Sequence, residues 1–184
     1  MLFARRKKLE LGVVVFELTD ACNQACKFCY NHFKGTPGYC APEPPDFRAA
    51  ERTLKKLLNE ASIASLSLSG GEPMLMPRIH DLVLKARFAG SNVNVLTNGT
   101  LLKDDDIAIF NDLGVAMIQI PILSTDAAMH DALTSLSGSW ERATAAARKV
   151  AAMRAGWLAP VLILAHQNLA TIEPTLELYA ELGA

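Results

Sequence analysis

The stretch IASLSLSGGEPMLMPRIHDLVLKARF, residues 63–88, holds the unit from which the fold follows. IASLSLS at 63–69 alternates apolar and small polar side chains, which predicts a tightly packed strand. Gly70-Gly71-Glu72-Pro73 then turns the chain. From about Pro77, Ile79, Leu82, Val83 and Ala86 recur at helical spacing. The same order of strand, turn and helix repeats on both sides. Upstream, VVVFEL at 13–18 is a β-branched strand. A helix capped by Asp46 follows it, with Ala50, Leu54, Leu57, Leu58 and Ala61 on the buried face. Downstream, NVNVLTN at 92–98, VAMIQIPIL at 115–123 and APVLILAHQ at 159–167 read as strands. Helices follow from about Asp104 to a stop at Gly114, from Asp126, from Ser139 to Ala155, and from Thr171 to Gly183.

Five such units predict a parallel sheet with right-handed crossovers. A barrel-like sheet and an open doubly wound sheet both fit the order. In either, chemistry gathers at the carboxyl ends of the strands. The unusual residues of this chain lie there. Three cysteines follow the first strand, Gly-Gly-Glu-Pro the second, and Thr-Asn-Gly ends the third.

Composition narrows the function classes. The 184 residues are 51% hydrophobic and 20% charged, the balance of an ordinary globular protein. A net charge of −1 leaves no electrostatic footprint for nucleic acid or acidic lipid. The basic run ARRKK at 4–8 reads as a solvated segment. The apolar LELGVVVF beyond it is too short for a signal peptide, and Glu17 and Asp20 break the apolar character just past it. No run reaches the length of a membrane span. The expected compartment is a reducing cytosol, because cysteines clustered early in the chain do not form a disulfide framework.

Cys22, Cys26 and Cys29, in CNQACKFCY at 22–30, are three of the four cysteines in the chain. Thiolates are soft ligands, suited to zinc or to an iron–sulfur cluster. Structural zinc wants four ligands, and Cys40, His32 or His80 could complete such a site. A [4Fe–4S] cube held by three cysteines instead leaves one iron open to another ligand.

CxxxCxxC after the first strand, with Phe28 before the last cysteine, resembles the radical S-adenosylmethionine (radical SAM) enzymes. GGEP at 70–73 and LTNGT at 96–100 extend the resemblance, which runs from about residue 12 to the end. It implies a partial TIM-like (β/α) barrel, here with five βα units of a usual six. It also implies one radical-SAM-like domain over 1–184, incomplete at its C-terminal end. Cys22, Cys26 and Cys29 would hold a [4Fe–4S] cluster whose fourth iron binds S-adenosylmethionine (SAM). Phe28, Gly70, Gly71, Glu72, Pro73, Thr97, Asn98 and Asn168 would contact the cofactor. A turn at Asn98-Gly99 and a cap at Asn168 are the competing readings of those two residues. Reductive cleavage of SAM would give a 5′-deoxyadenosyl radical that abstracts hydrogen from the substrate. An electron donor such as a flavodoxin or ferredoxin would serve it, and the GGEP and His130-Asp131 segments look most like the peptide-maturing branch. A small-molecule substrate, a non-catalytic iron–sulfur module and a structural zinc protein remain alternatives.

The chain departs from the family on the fourth strand. Where the family places a serine and an acid, this sequence has Pro121 and Leu123, with Gln119 or Ser124 as possible substitutes. A proline there also predicts an edge or a bulge. His130-Asp131 reads as structural, and SGSWERA at 137–143 as a helix start with Ser139 capping and Trp140 packing.

Overall fold

A computed structural model describes residues 7–30 and 43–183. His32, Cys40 and residues 4–6 of the basic run lie outside the described residues. Five parallel strands, β1 (Leu9–Glu17), β2 (Ala61–Ser69), β3 (Asn92–Leu96), β4 (Met117–Pro121) and β5 (Trp157–Val161), form one sheet in the order β1-β2-β3-β4-β5. Between them run α1 (Phe47–Glu60), α2 (Ile79–Phe88), α3 (Asp104–Asp112), α4 (Ala127–Thr134) and α5 (Ser139–Ala151), with α6 (Ile172–Glu181) last. The strand order never reverses. Right-handed crossovers that always step the same way put every helix on one face, which is a partial barrel and not a doubly wound sheet.

The two faces of the sheet differ chemically. Leu66, Leu68, Val93, Val95, Ile118 and Ile120 point to the helices and are 0–1% exposed. They pack in one core with Leu54, Leu82, Phe110 and Val150 from the helices. Burying side chains of this size stabilises the fold by about 1.5–3 kcal/mol each. Strand pairing puts Val15, Ser67, Asn94, Met117 and Trp157 in one row across the other, concave face. There Asn94 donates its amide hydrogens to Ser65 Oγ at 3.0 Å and Ser67 Oγ at 3.2 Å. The serines of IASLSLS thus line the hollow of the barrel, and its leucines face the helices.

Three expectations need correction. Pro121 does not mark an edge or a bulge: β4 lies between β3 and β5, and Pro121 is its last residue. Gln119 accepts Thr97 N–H on the β3 side, and two residues on, Pro121 faces that side beyond the end of the ladder. No bond is lost there for want of an N–H. Ser139 does not cap α5. Gly138 does, at φ 69°, a left-handed conformation open to glycine. The Asp131 carboxylate at the end of α4 accepts from Gly138 N, Ser139 Oγ and Trp140 N. The fifth strand stops at Val161, short of the expected 167, because His166–Thr171 coils into a 3-10 helix.

Candidate functional site

The loop after β1 is held from two sides. The turn after β2 grips its start: Gly71 N donates to Thr19 O at 2.6 Å and Glu72 N to Ala21 O at 2.8 Å. The end of α4 grips its middle, where Ala25 N reaches Thr134 O at 3.2 Å and Lys27 N reaches Leu133 O at 3.0 Å. A Cβ on Gly70 would stand 2.3 Å from Thr19 O, and one on Gly71 2.1 Å from Ala21 O. The two glycines therefore let the turn press against the cysteine loop's own backbone. In sequence these glycines read as a turn and a cofactor contact, which did not show their packing against the loop.

Between these grips lies a cavity of about 380 Å³ at the carboxyl ends of the strands. Cys22, Cys26, Cys29 and Phe28 line it from the loop; Gly70, Gly71, Thr97 and Asn98 line it from β2 and β3. The three cysteines are half-buried. Cys22 Sγ accepts from Gln24 N at 3.4 Å and lies 3.9 Å from the Asn98 amide, and Cys26 Sγ donates to Gln24 Oε1 at 3.2 Å. Among the described residues, no set of three or more His, Cys, Asp or Glu side chains is grouped to hold a metal ion. The donor set itself fits an iron–sulfur cluster: three soft ligands on one cavity wall, with an amide N–H already directed at a sulfur.

Glu72 stands behind this wall, 0% exposed. Its Oε1 accepts from Thr97 Oγ1 at 2.6 Å and Met74 N at 2.9 Å, and its Oε2 from Asn98 N at 2.8 Å. Burial raises its pKa above the ordinary carboxylate value, against the pull of those three bonds. The Asn98 amide donates to Asn23 Oδ1 at 2.8 Å and Asn23 donates to Thr100 Oγ1 at 2.9 Å, joining the end of β3 to the cysteine loop. Asn23 and Gln24 were missed in the sequence, because residues in the gaps of a motif carry no spacing signal; Thr100 closes the LTNGT stretch but had no role assigned to it.

The profile of the Radical SAM superfamily matches residues 16–179. The chain belongs to the radical SAM superfamily. It is 31% identical over 134 residues to the sporulation killing factor maturation protein SkfB of Bacillus subtilis, covering 73% of this chain and 31% of that one. It is 30% identical over 176 residues to the AdoMet-dependent heme synthase of Methanosarcina barkeri, covering 94% and 48%. The solved structure of Streptococcus suis SuiB bound to S-adenosylmethionine superposes with a TM-score of 0.73 at 17% identity, over 96% of this chain and 39% of that one. SuiB bound to precursor peptide SuiA gives 0.72 at 18%, over 96% and 37%. The chain thus spans about a third to a half of the length of these proteins.

Pro73 and Asn168, also read from the radical SAM resemblance, sit off the cavity wall. Pro73 is buried in the 3-10 turn Pro73–Leu75. Asn168 is 0% exposed; its amide donates to Leu123 O at 2.8 Å and Ile163 O at 3.0 Å, and its Oδ1 accepts from Ala165 N at 2.9 Å. His80 lines a different cavity, its Nε2 3.0 Å from Asp106 Oδ1. Of the two substitutes on the fourth strand, Gln119 reaches the cavity. Ser124 is buried and occupied, donating to Thr171 Oγ1 at 2.9 Å and accepting from Asp126 N at 3.0 Å. Among the described residues, no helix is long and apolar enough to cross a membrane.

Proposed function

We propose that this chain is the core of a radical SAM enzyme, with a [4Fe–4S] cluster on Cys22, Cys26 and Cys29 and SAM in the adjoining cavity. Three half-buried cysteines on one wall of a cavity closed by the Gly70-Gly71 turn carry this reading. When bound, cluster and cofactor supply reductive cleavage of the sulfonium and hydrogen abstraction from a substrate. The chain's own residues bind, orient and shield. Gly70 and Gly71 offer backbone at the cavity wall, Thr97 and Asn98 offer polar groups at the end of β3, and Phe28 covers the cofactor with an apolar ring. Glu72 and Pro73 hold that turn in shape, and after its three hydrogen bonds Glu72 keeps one lone pair for an ammonium donor. Asn168 acts one layer out, by fixing Leu123 and Ile163.

Residues 1–184 would form one domain of a protein in a reducing cytosol, with electrons from a flavodoxin or ferredoxin. A peptide substrate is supported by the likeness to a maturation protein for a killing factor and to a structure holding a precursor peptide. The likeness to a heme synthase favours a small molecule as the second reading.

The test is anaerobic. Protein reconstituted with iron and sulfide, then reduced with dithionite, is expected to convert SAM to methionine and 5′-deoxyadenosine. Cys22→Ala, Cys26→Ala and Cys29→Ala are each expected to abolish this. A loaded cluster with no cleavage would make the chain a non-catalytic module, and stoichiometric zinc without iron would overturn the cluster as well.

A further inference from the structure

The cavity wall at the end of β4 carries a group with no role in the chemistry above. Pro121 lines the cavity there without a side-chain hydrogen-bonding group, and the Leu123 side chain is apolar and fully buried. His130 of α4 stands on the same wall and is 1% exposed. Its Nδ1 accepts the Leu123 N–H at 3.1 Å, so that nitrogen carries no proton and the neutral ring keeps its hydrogen on Nε2. Among the described residues, nothing accepts that hydrogen. Burial holds the ring neutral, with a pKa lowered to about 4.

We propose that His130 donates a hydrogen bond from Nε2 to an oxygen of SAM bound in this cavity, its carboxylate or a ribose hydroxyl. The ring supplies from α4 the polar contact that Pro121, at the end of β4, and Leu123, just past it, do not supply. This rests on the cavity being a SAM site. The donor is fixed relative to the cluster ligands. Thr134, one turn along α4, donates its hydroxyl to His130 O at 3.0 Å, and its carbonyl holds the cysteine loop at Ala25. The cavity's volume suits a ligand of this size.

The test separates the two ring nitrogens. SAM binding is measured by anaerobic equilibrium dialysis on cluster-loaded protein, with iron content and thermal melting as controls. His130→Phe is expected to weaken binding about tenfold, the loss of one hydrogen bond. His130→Gln, which carries an N–H at the reach of Nε2, is expected to recover most of it. His130→Asn, which replaces only the acceptor for Leu123 N–H, is expected not to. Recovery by Asn and not by Gln would overturn the proposal, as would unchanged binding in the Phe variant. A second measurement needs no substitution: in protein labelled with 15N-histidine, adding SAM is expected to shift the His130 Nε2–H resonance, and an unmoved resonance refutes the contact. Wild-type protein that carries its cluster and binds no SAM would instead overturn the functional reading on which this one rests.

Discussion

Gly71→Ala isolates what holds the cysteine loop in place. The new Cβ would lie 2.1 Å from Ala21 O and 2.6 Å from Asp20 O, where ordinary contact begins at 3.4 Å. Both neighbours are backbone, so no side chain can swing aside. The turn and the loop must part by more than an ångström, which breaks Gly71 N→Thr19 O and Glu72 N→Ala21 O. Two lost hydrogen bonds amount to about 2 kcal/mol. The strain of overpacking adds about 1–3 kcal/mol. A total of about 3–5 kcal/mol lowers the melting temperature of a chain this size by roughly 6–20 °C. The assay is thermal denaturation of the metal-free protein, so that no ligand affinity enters. Gly12→Ala in β1 is the control: a Cβ there meets nothing within 4 Å, and the substitution is neutral or stabilising by about 0.5 kcal/mol. A Gly71→Ala melt indistinguishable from that of Gly12→Ala would refute the idea that backbone packing, and not ligand approach alone, requires glycine there.

Asn168→Ala removes a buried side chain that satisfies two carbonyls and one amide. It is expected to destabilise the fold by about 2–4 kcal/mol in urea titration while leaving SAM affinity within about twofold. A large affinity loss in a variant of normal stability would make it a direct contact. Burial pushes the Asp131 carboxyl up, but Trp140 N–H, the Ser139 hydroxyl and Gly138 N–H together hold it below its ordinary value. Asp131→Ala uncaps α5 and is expected to lower stability by about 2 kcal/mol in the same assay. Stability is also expected to fall as pH drops from about 6.5 to about 4. In that window the unfolded chain protonates His130 and the native fold does not. The contribution is on the order of 3 kcal/mol, and the difference in denaturation midpoints between wild type and His130→Gln across that range measures it.

The fold was legible because the β-strands and helices of this chain keep their periodicities apart. Leu66 and Leu68 alternate with serines, while Ile79, Leu82, Val83 and Ala86 step by three and four. Choosing a barrel over a doubly wound sheet needed strand order, which no local pattern encodes. The site was legible only as motif residues. Cys22, Cys26, Cys29, Gly70 and Gly71 announce themselves by spacing. Asn23, Asn98 and Thr100 form a chain of hydrogen bonds across 77 positions, and only folding brings them together. Asp131 read as structural, but its partners at the start of α5 were hidden for the same reason, and Ser139 took the cap in its place. A capping carboxylate eight residues upstream looks, in sequence, like part of another helix.

The central claim is that three cysteines present a cluster to a cofactor in the adjoining cavity. Electron paramagnetic resonance of the dithionite-reduced, anaerobically reconstituted protein tests it most directly. The account predicts the signal of a reduced [4Fe–4S] cluster whose g-values shift when SAM is added, and no such signal when Cys22, Cys26 or Cys29 is replaced by alanine. A cluster signal that SAM leaves unchanged, or protein that takes up no iron with all three cysteines intact, would contradict it.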